Sequence, residues 1–175
     1  YDLGDFQFSQ AYCFFWDQLE KANLFLQAVI DTRDLPFESR EVDWLFSNPI
    51  SDGGTFTGVA DLVTKYGLVP SNVMPESYIA NSTSAMATQL RTLLRKDGLE
   101  LRGELSGVKK KDVPAKLESM KVEMLKDVYR VLALSFGVHT KEFEWNGKTN
   151  TPTQFNEELM GNDLPHNYAM YMNDH

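Results

Sequence analysis

The aromatic side chains of Phe6, Phe8, Tyr12, Phe14, Phe15, Trp16 and Phe25 all fall within the first 25 residues of this chain. A helix loaded this heavily must be buried on much of its circumference, which places it at the centre of a larger fold. Ser9 is a good N-cap, and the spacing predicts a helix from about Ser9 to Asp31. Tyr12, Phe15, Trp16, Leu19, Ala22, Leu26 and Val29 form one stripe at helical period, while Asp17, Glu20 and Lys21 keep part of the other face wet.

The pattern downstream is mostly helical. A short helix is expected over 38–47 with Val42, Leu45 and Phe46 inward, stopped by Asn48-Pro49. A third runs from Thr57 to Tyr66 and ends on Gly67. A fourth spans Ser82 to about Leu105, with Gly98 and Gly103 as weak points where it can break. Pro114 opens a long helix reaching Phe136, with Leu117, Met120, Met124, Val128, Val131 and Leu132 on one stripe. Residues 141–145 alternate like a strand, and Asn146-Gly147 is a strong hairpin signal. Thr151 and Pro152 then start a last helix as N-cap and first-turn residue.

Composition narrows the function classes. The chain has 175 residues, is 42% hydrophobic and carries a net charge of −8, which describes a globular sequence. The acidic balance argues against a nucleic-acid partner, which requires clustered Lys and Arg. Lys109-Lys110-Lys111 is followed at once by Asp112 and reads as a solvated loop. No apolar run approaches the ~20 residues that span a bilayer, so no membrane partner is expected. A single cysteine excludes an internal disulfide and fits a reducing, cytoplasmic setting. The first residues lack a basic region and a cleavage site, and both ends read like the inside of a domain.

Candidate chemistry is sparse. Cys13, His139 and the asparagines 146, 150 and 156 follow the Cys, His, Asn order of thiol proteases. A nucleophilic cysteine needs a lowered pKa, usually beside a histidine at a helix N-terminus. Cys13 sits instead among bulky aromatics, where a small core hydrophobe is the expected role. His139, His166 and His175 show no metal-ligand spacing, and no metal or cofactor is expected. Ser51-Asp52-Gly53-Gly54 reads as a turn using backbone conformations closed to larger residues. The same two glycines could also let another backbone approach closely.

Several motifs stand in fixed order: Phe8-Ser9-Gln10-Ala11-Tyr12-Cys13-Phe14-Phe15-Trp16-Asp17, Asn48-Pro49 with Asp52-Gly53-Gly54, Lys65-Tyr66-Gly67-Leu68-Val69-Pro70, and Pro75-Glu76-Ser77-Tyr78. Together they resemble the middle of a papain-like cysteine aminopeptidase of the aminopeptidase C and bleomycin hydrolase family. The likeness covers nearly the whole chain and is densest over residues 5–80. It implies an α+β fold for the family, of which this chain is a mainly α part. Residues 1–80 would belong to the helical subdomain after the catalytic helix. Residues 81–175 would form a helical insert with a short hairpin, leading to the second half of the enzyme.

The resemblance also implies a function. The intact protein would be a cytoplasmic thiol aminopeptidase acting on peptides, a homo-hexamer whose own C-terminus restricts it to N-terminal residues. The nucleophilic cysteine and oxyanion glutamine are expected before Tyr1, and the histidine and asparagine after His175, so no catalytic residue is named here and the chain alone is expected to be inactive. Gly53 and Gly54 are assigned to substrate-backbone binding, Thr55 and Phe56 to the wall of a side-chain pocket, and Asp52 to positioning the turn. Two alternatives remain: a non-catalytic helical interaction module derived from the family, and a hydrolase that depends on Cys13.

Overall fold

The computed structural model describes residues 6–51, 53–76, 83–103, 105 and 107–161. Its elements run α1 (Gln10–Asp31), α2 (Arg40–Ser47), α3 (Phe56–Tyr66), α4 (Ser84–Arg102), α5 (Val113–Phe136), β1 (Phe143–Trp145), β2 (Lys148–Asn150) and α6 (Pro152–Met160). The chain is mainly helical, with one antiparallel strand pair among the described residues.

Local signals set most boundaries. Ser9 Oγ accepts a hydrogen bond from the Tyr12 amide at 3.1 Å, which satisfies one orphan donor of α1. Thr151 and Gln154 form a reciprocal capping box at the start of α6. Asn146 (φ 50°) and Gly147 (φ 75°) both take positive φ, so the hairpin turn has the backbone that its two residues favour. Gly67 and Gly137 close α3 and α5 with φ of 76° and 90°.

The described residues group into two compact units. One holds 6–16, 53–76 and 139–161; the other holds 17–51, 83–103, 105 and 107–138. Both are discontinuous in sequence.

The first unit is built on aromatic rings. Phe155 lies 1% exposed at its centre. Phe143 and Trp145 approach it at ring distances of 5.2 and 5.3 Å, both edge-on, the arrangement that the ring quadrupole favours. Helices α3 and α6 pack together, and the Leu68 amide donates to the Pro152 carbonyl at 3.0 Å. A Cβ at Gly67 would fall 2.1 Å from the Pro152 backbone, so both the φ and the space demand glycine.

The second unit is aliphatic. Leu90, Leu94 and Leu101 of α4 and Val128 and Leu132 of α5 are completely buried. Three arginines serve as clamps. Arg33 donates to the carbonyls of Leu101 and Gly103, at the end of α4. Arg95 donates to those of Phe46 and Ser47, at the end of α2. Arg102 donates to Thr32, just past α1. Arg33 and Arg95 satisfy orphan carbonyls at helix C-termini, and all three place a cation there, the favourable sign.

Three expectations need correction. Helix α4 runs unbroken through Gly98 and ends at Gly103. A Cβ at Gly98 would lie 2.9 Å from the Phe46 ring, so this glycine permits close packing rather than a break. Leu45 and Phe46 of α2 are only half-buried, and Val42 alone is fully buried there. Lys110–Asp112 forms one turn of 3-10 helix where a plain loop was expected, although its lysines are solvated as read.

Candidate functional site

The first unit explains why the sequence motifs occur together. Ser9 donates its hydroxyl to the Met74 carbonyl at 2.6 Å, and its amide donates to the Val69 carbonyl at 2.9 Å. The Ala11 amide, a first-turn donor of α1, finds Glu76 Oε1 at 2.9 Å. Tyr12 Oη donates to the Tyr66 carbonyl at 2.7 Å, and Trp16 stacks on the Tyr66 ring at 4.0 Å with 9° between planes. Phe8 and Pro70 form an isolated antiparallel bridge. The Phe8–Asp17, Lys65–Pro70 and Pro75-Glu76 motifs are therefore one bonded cluster, although up to 65 residues separate the partners.

That cluster anchors the C-terminal end of α3. The N-terminal end of the same helix carries the candidate substrate residues. Thr55 is its N-cap and accepts from the Gly58 amide at 3.2 Å. Phe56 opens the first turn and is 57% exposed, and Val59 follows one turn on at 48%. Gly53 and Gly54 precede the cap, both exposed, and a Cβ on either would meet no atom within 4 Å. Asp52 lies outside the described residues.

The diglycine differs from its expected form. Neither glycine has positive φ, so the segment does not use glycine-only conformations. The missing side chains leave an exposed, sterically open segment before a capped helix. Substitution there would be tolerated by the fold and would be felt by whatever approaches from outside.

The cysteine–histidine pair resolves differently. Cys13 is half-buried, and burial pushes its thiol up, the opposite of an activated nucleophile. His139 packs edge-on against Trp16, Phe15 and Tyr12 at 4.6, 5.7 and 6.3 Å between ring centres. Burial, and then nearby Lys141, hold its imidazole below the usual range. Tyr12 in the same cluster is pushed up to about 12, mainly by burial. These groups are held uncharged in an aromatic core. Asn146, Asn150 and Asn156 lie in the hairpin turn, in β2 and in α6. His166 and His175 lie outside the described residues. No group of three or more His, Cys, Asp or Glu is placed to hold a metal among the described residues, and no described helix is long and apolar enough to cross a membrane.

One feature escaped the sequence reading. Asp97 of α4 is 3% exposed and lines a cavity between α4 and α5 in the second unit. The signal was present: Leu90, Leu94, Asp97 and Leu101 share one helical stripe, so a carboxylate occupies a core register.

Comparison with known proteins agrees with this architecture. The profile described as the peptidase C1-like family matches residues 1–173. Aminopeptidase C of Lactobacillus helveticus is 41% identical over 94% of this chain and 38% of that protein. Aminopeptidase C of Lactobacillus delbrueckii subsp. lactis is 37% identical over 99% of this chain and 40% of that protein. The crystal structure of PepW from Lactobacillus rhamnosis superposes with a TM-score of 0.78 at 35% identity, over 91% of this chain and 37% of that one. The chain thus spans about two-fifths of the length of the curated relatives it matches, and it belongs to the peptidase C1-like family.

Proposed function

We propose that this chain is the substrate-holding part of a cytoplasmic cysteine aminopeptidase that removes N-terminal residues from peptides. The nucleophilic cysteine, its histidine and the orienting asparagine come from segments that the relatives carry beyond the matched stretch. The full-length protein is a homo-hexamer. Residues 1–80 belong to its helical subdomain, and residues 81–175 form the helical insert.

The observation that carries this reading is the bare diglycine ahead of a capped, anchored helix. An extended peptide can lay its backbone along Gly53 and Gly54, because no side chain intervenes and main-chain hydrogen bonds supply affinity. Thr55 fixes the start of α3, and Phe56 offers an apolar wall to the adjacent substrate side chain. Asp52 positions the segment. Peptide bond cleavage then requires thiolate attack and oxyanion stabilisation from groups outside this chain.

The test compares the 175-residue chain with a protein that also carries the flanking segments, using an aminoacyl-coumarin substrate. The chain alone should give no turnover, and the longer protein should cleave. Gly54→Val in the longer protein should raise KM about tenfold or more, because a branched side chain blocks the approach of substrate backbone. Turnover by the chain alone that disappears in Cys13→Ala would sink this reading in favour of a Cys13-dependent hydrolase.

A further inference from the structure

Gly53 and Gly54 have no side chains with which to pack, and glycine has the most conformational freedom to lose on ordering. The place of such a segment depends on how its flanks are held. On the α3 side the hold is the Thr55 cap, which accepts from the Gly58 amide. On the other side Ser51 is itself exposed, so its own side chain does not fix it.

The hold on Ser51 comes from α1. Gln18 is a polar residue only 2% exposed, on a helical stripe with the buried Ala11, Phe15, Ala22, Leu26 and Val29. A buried amide is tolerated only when it is hydrogen-bonded. Gln18 Nε2 donates to the Ser51 carbonyl at 3.3 Å and to Asp17 Oδ2 at 3.1 Å. Lys21 Nζ, one turn further along α1, donates to the same two oxygens at 3.1 and 2.6 Å. The four groups close a ring in which two side-chain donors each bridge one carboxylate oxygen and one main-chain carbonyl. The Ser51 carbonyl has two lone pairs and here meets two donors. Asp17 keeps both donors aimed at it. The Lys21 and Asp17 side chains are 19% and 26% exposed, so their ion pair escapes much of the screening that weakens surface pairs. Pro49 and Ile50, just upstream, are buried. The chain is thus held by packing as far as Ile50 and by hydrogen bonds at Ser51.

We propose that Gln18 and Lys21 are positioning residues for peptide binding, fixing the entry to the Gly53-Gly54 segment through the Ser51 carbonyl; this rests on the peptide-holding role proposed for those glycines. Chain connectivity keeps Gly53 within about 8 Å of Ser51. With either donor removed, water competes for the Ser51 carbonyl and the entry relaxes. Substrate must then order a segment that the intact ring orders in advance, and lost preorganisation weakens binding. The groups that break the peptide bond lie elsewhere, so the loss falls on KM and leaves kcat nearly unchanged.

Steady-state kinetics on an aminoacyl-coumarin substrate, with the protein that also carries the flanking segments, tests this assignment. Gln18→Met and Lys21→Met keep bulk and remove the donor. Each should raise KM about three- to tenfold and leave kcat within about twofold. Lys21→Arg, which keeps a charged donor, should recover most of the affinity. Gln27→Met is the control. It removes a comparable bridge on α1, between Lys121 and Asp31, and should leave KM as it is. Gly54→Val separates the positioning role from the peptide-holding role beneath it. If Gly54→Val raises KM while Gln18→Met and Lys21→Met do not, the positioning role is overturned and the peptide-holding role stands. If Gly54→Val leaves KM unchanged, the peptide-holding role falls and the positioning role with it. A fall in kcat at constant KM, or an equal rise in KM for Gln27→Met, makes the ring a structural brace and also overturns the proposal. If Gln18→Met does not fold, Lys21→Met, at a partly exposed position, decides.

Discussion

The two compact units hold themselves together by different physics. In the first, aromatic rings meet edge-on around Phe155 and Trp16, and long-range hydrogen bonds from Ser9, Ala11 and Tyr12 tie loop carbonyls and a carboxylate to α1. In the second, leucines and valines fill the space between helices, and arginines clamp helix ends. Directional bonds fix positions to fractions of an ångström. Aliphatic packing is more forgiving of shape, provided volume is kept. The proposed peptide-holding segment is attached to the directional unit, and the cavity with the stranded carboxylate lies in the aliphatic one.

The sharpest way to break this contrast is Gly67→Ala. The new methyl would need both a left-handed backbone and a space already filled by the Pro152 backbone. A loss of more than about 4 kcal/mol is expected, at the exceptional end for a single substitution. Chemical denaturation measures it, and a loss below about 1 kcal/mol would mean that α3 and α6 can separate freely. Next come the two cores. Phe15→Ala should cost about 3–5 kcal/mol and Leu94→Ala about 2–5 kcal/mol. If the aliphatic unit repacks more readily, Leu94→Met should be nearly neutral, while Phe15→Leu should not.

The units should also answer acid in opposite directions. His139 is held below its ordinary value, so its contribution is present above its unfolded pKa of about 6.5 and is lost as pH falls through the folded value. Asp97 is held above its ordinary value, mainly by burial. Its contribution is complete below about pH 3.9 and is lost as pH rises through the folded value. Lowering pH from neutral to mildly acidic should therefore reduce amide protection in α3 and α6 and increase it in α4 and α5. His139→Gln should abolish the first trend and Asp97→Asn the second. Parallel responses in both units would refute the contrast. The smallest effect is Thr55→Ala, which removes the α3 cap at a cost of about 1 kcal/mol while leaving the anchored end of that helix intact.

What could be read from the sequence was what local chemistry decides. Ser9, Thr151, Pro114 and Asn146-Gly147 act on their immediate neighbours, so their caps, first turns and hairpin were legible. Gly98 was misread because its reason lies on another helix, in the ring of Phe46. Asp97 was missed because a charged residue in a helix is ordinarily assumed to be solvated, and only its register among the leucines says otherwise. Gly53 and Gly54 were open to two readings, a turn that needs glycine-only backbone and a close approach of another backbone; their φ values are ordinary, which removes the first. Sequence distinguishes poorly between a glycine needed for its backbone and one needed for its bareness.

The hydroxyl of Ser9 has a consequence for how the chain is made. It binds the Met74 carbonyl across 65 positions, and the Ala11 amide reaches Glu76 across the same span. The first turn of α1 therefore lacks its proper partners until those later residues have left the ribosome, on the order of ten seconds after Ser9 at ordinary elongation rates. Helix α1 is thus completed last at its own beginning. Any factor that guards nascent chains would meet the aromatic face of that first turn while its partners have yet to be synthesised.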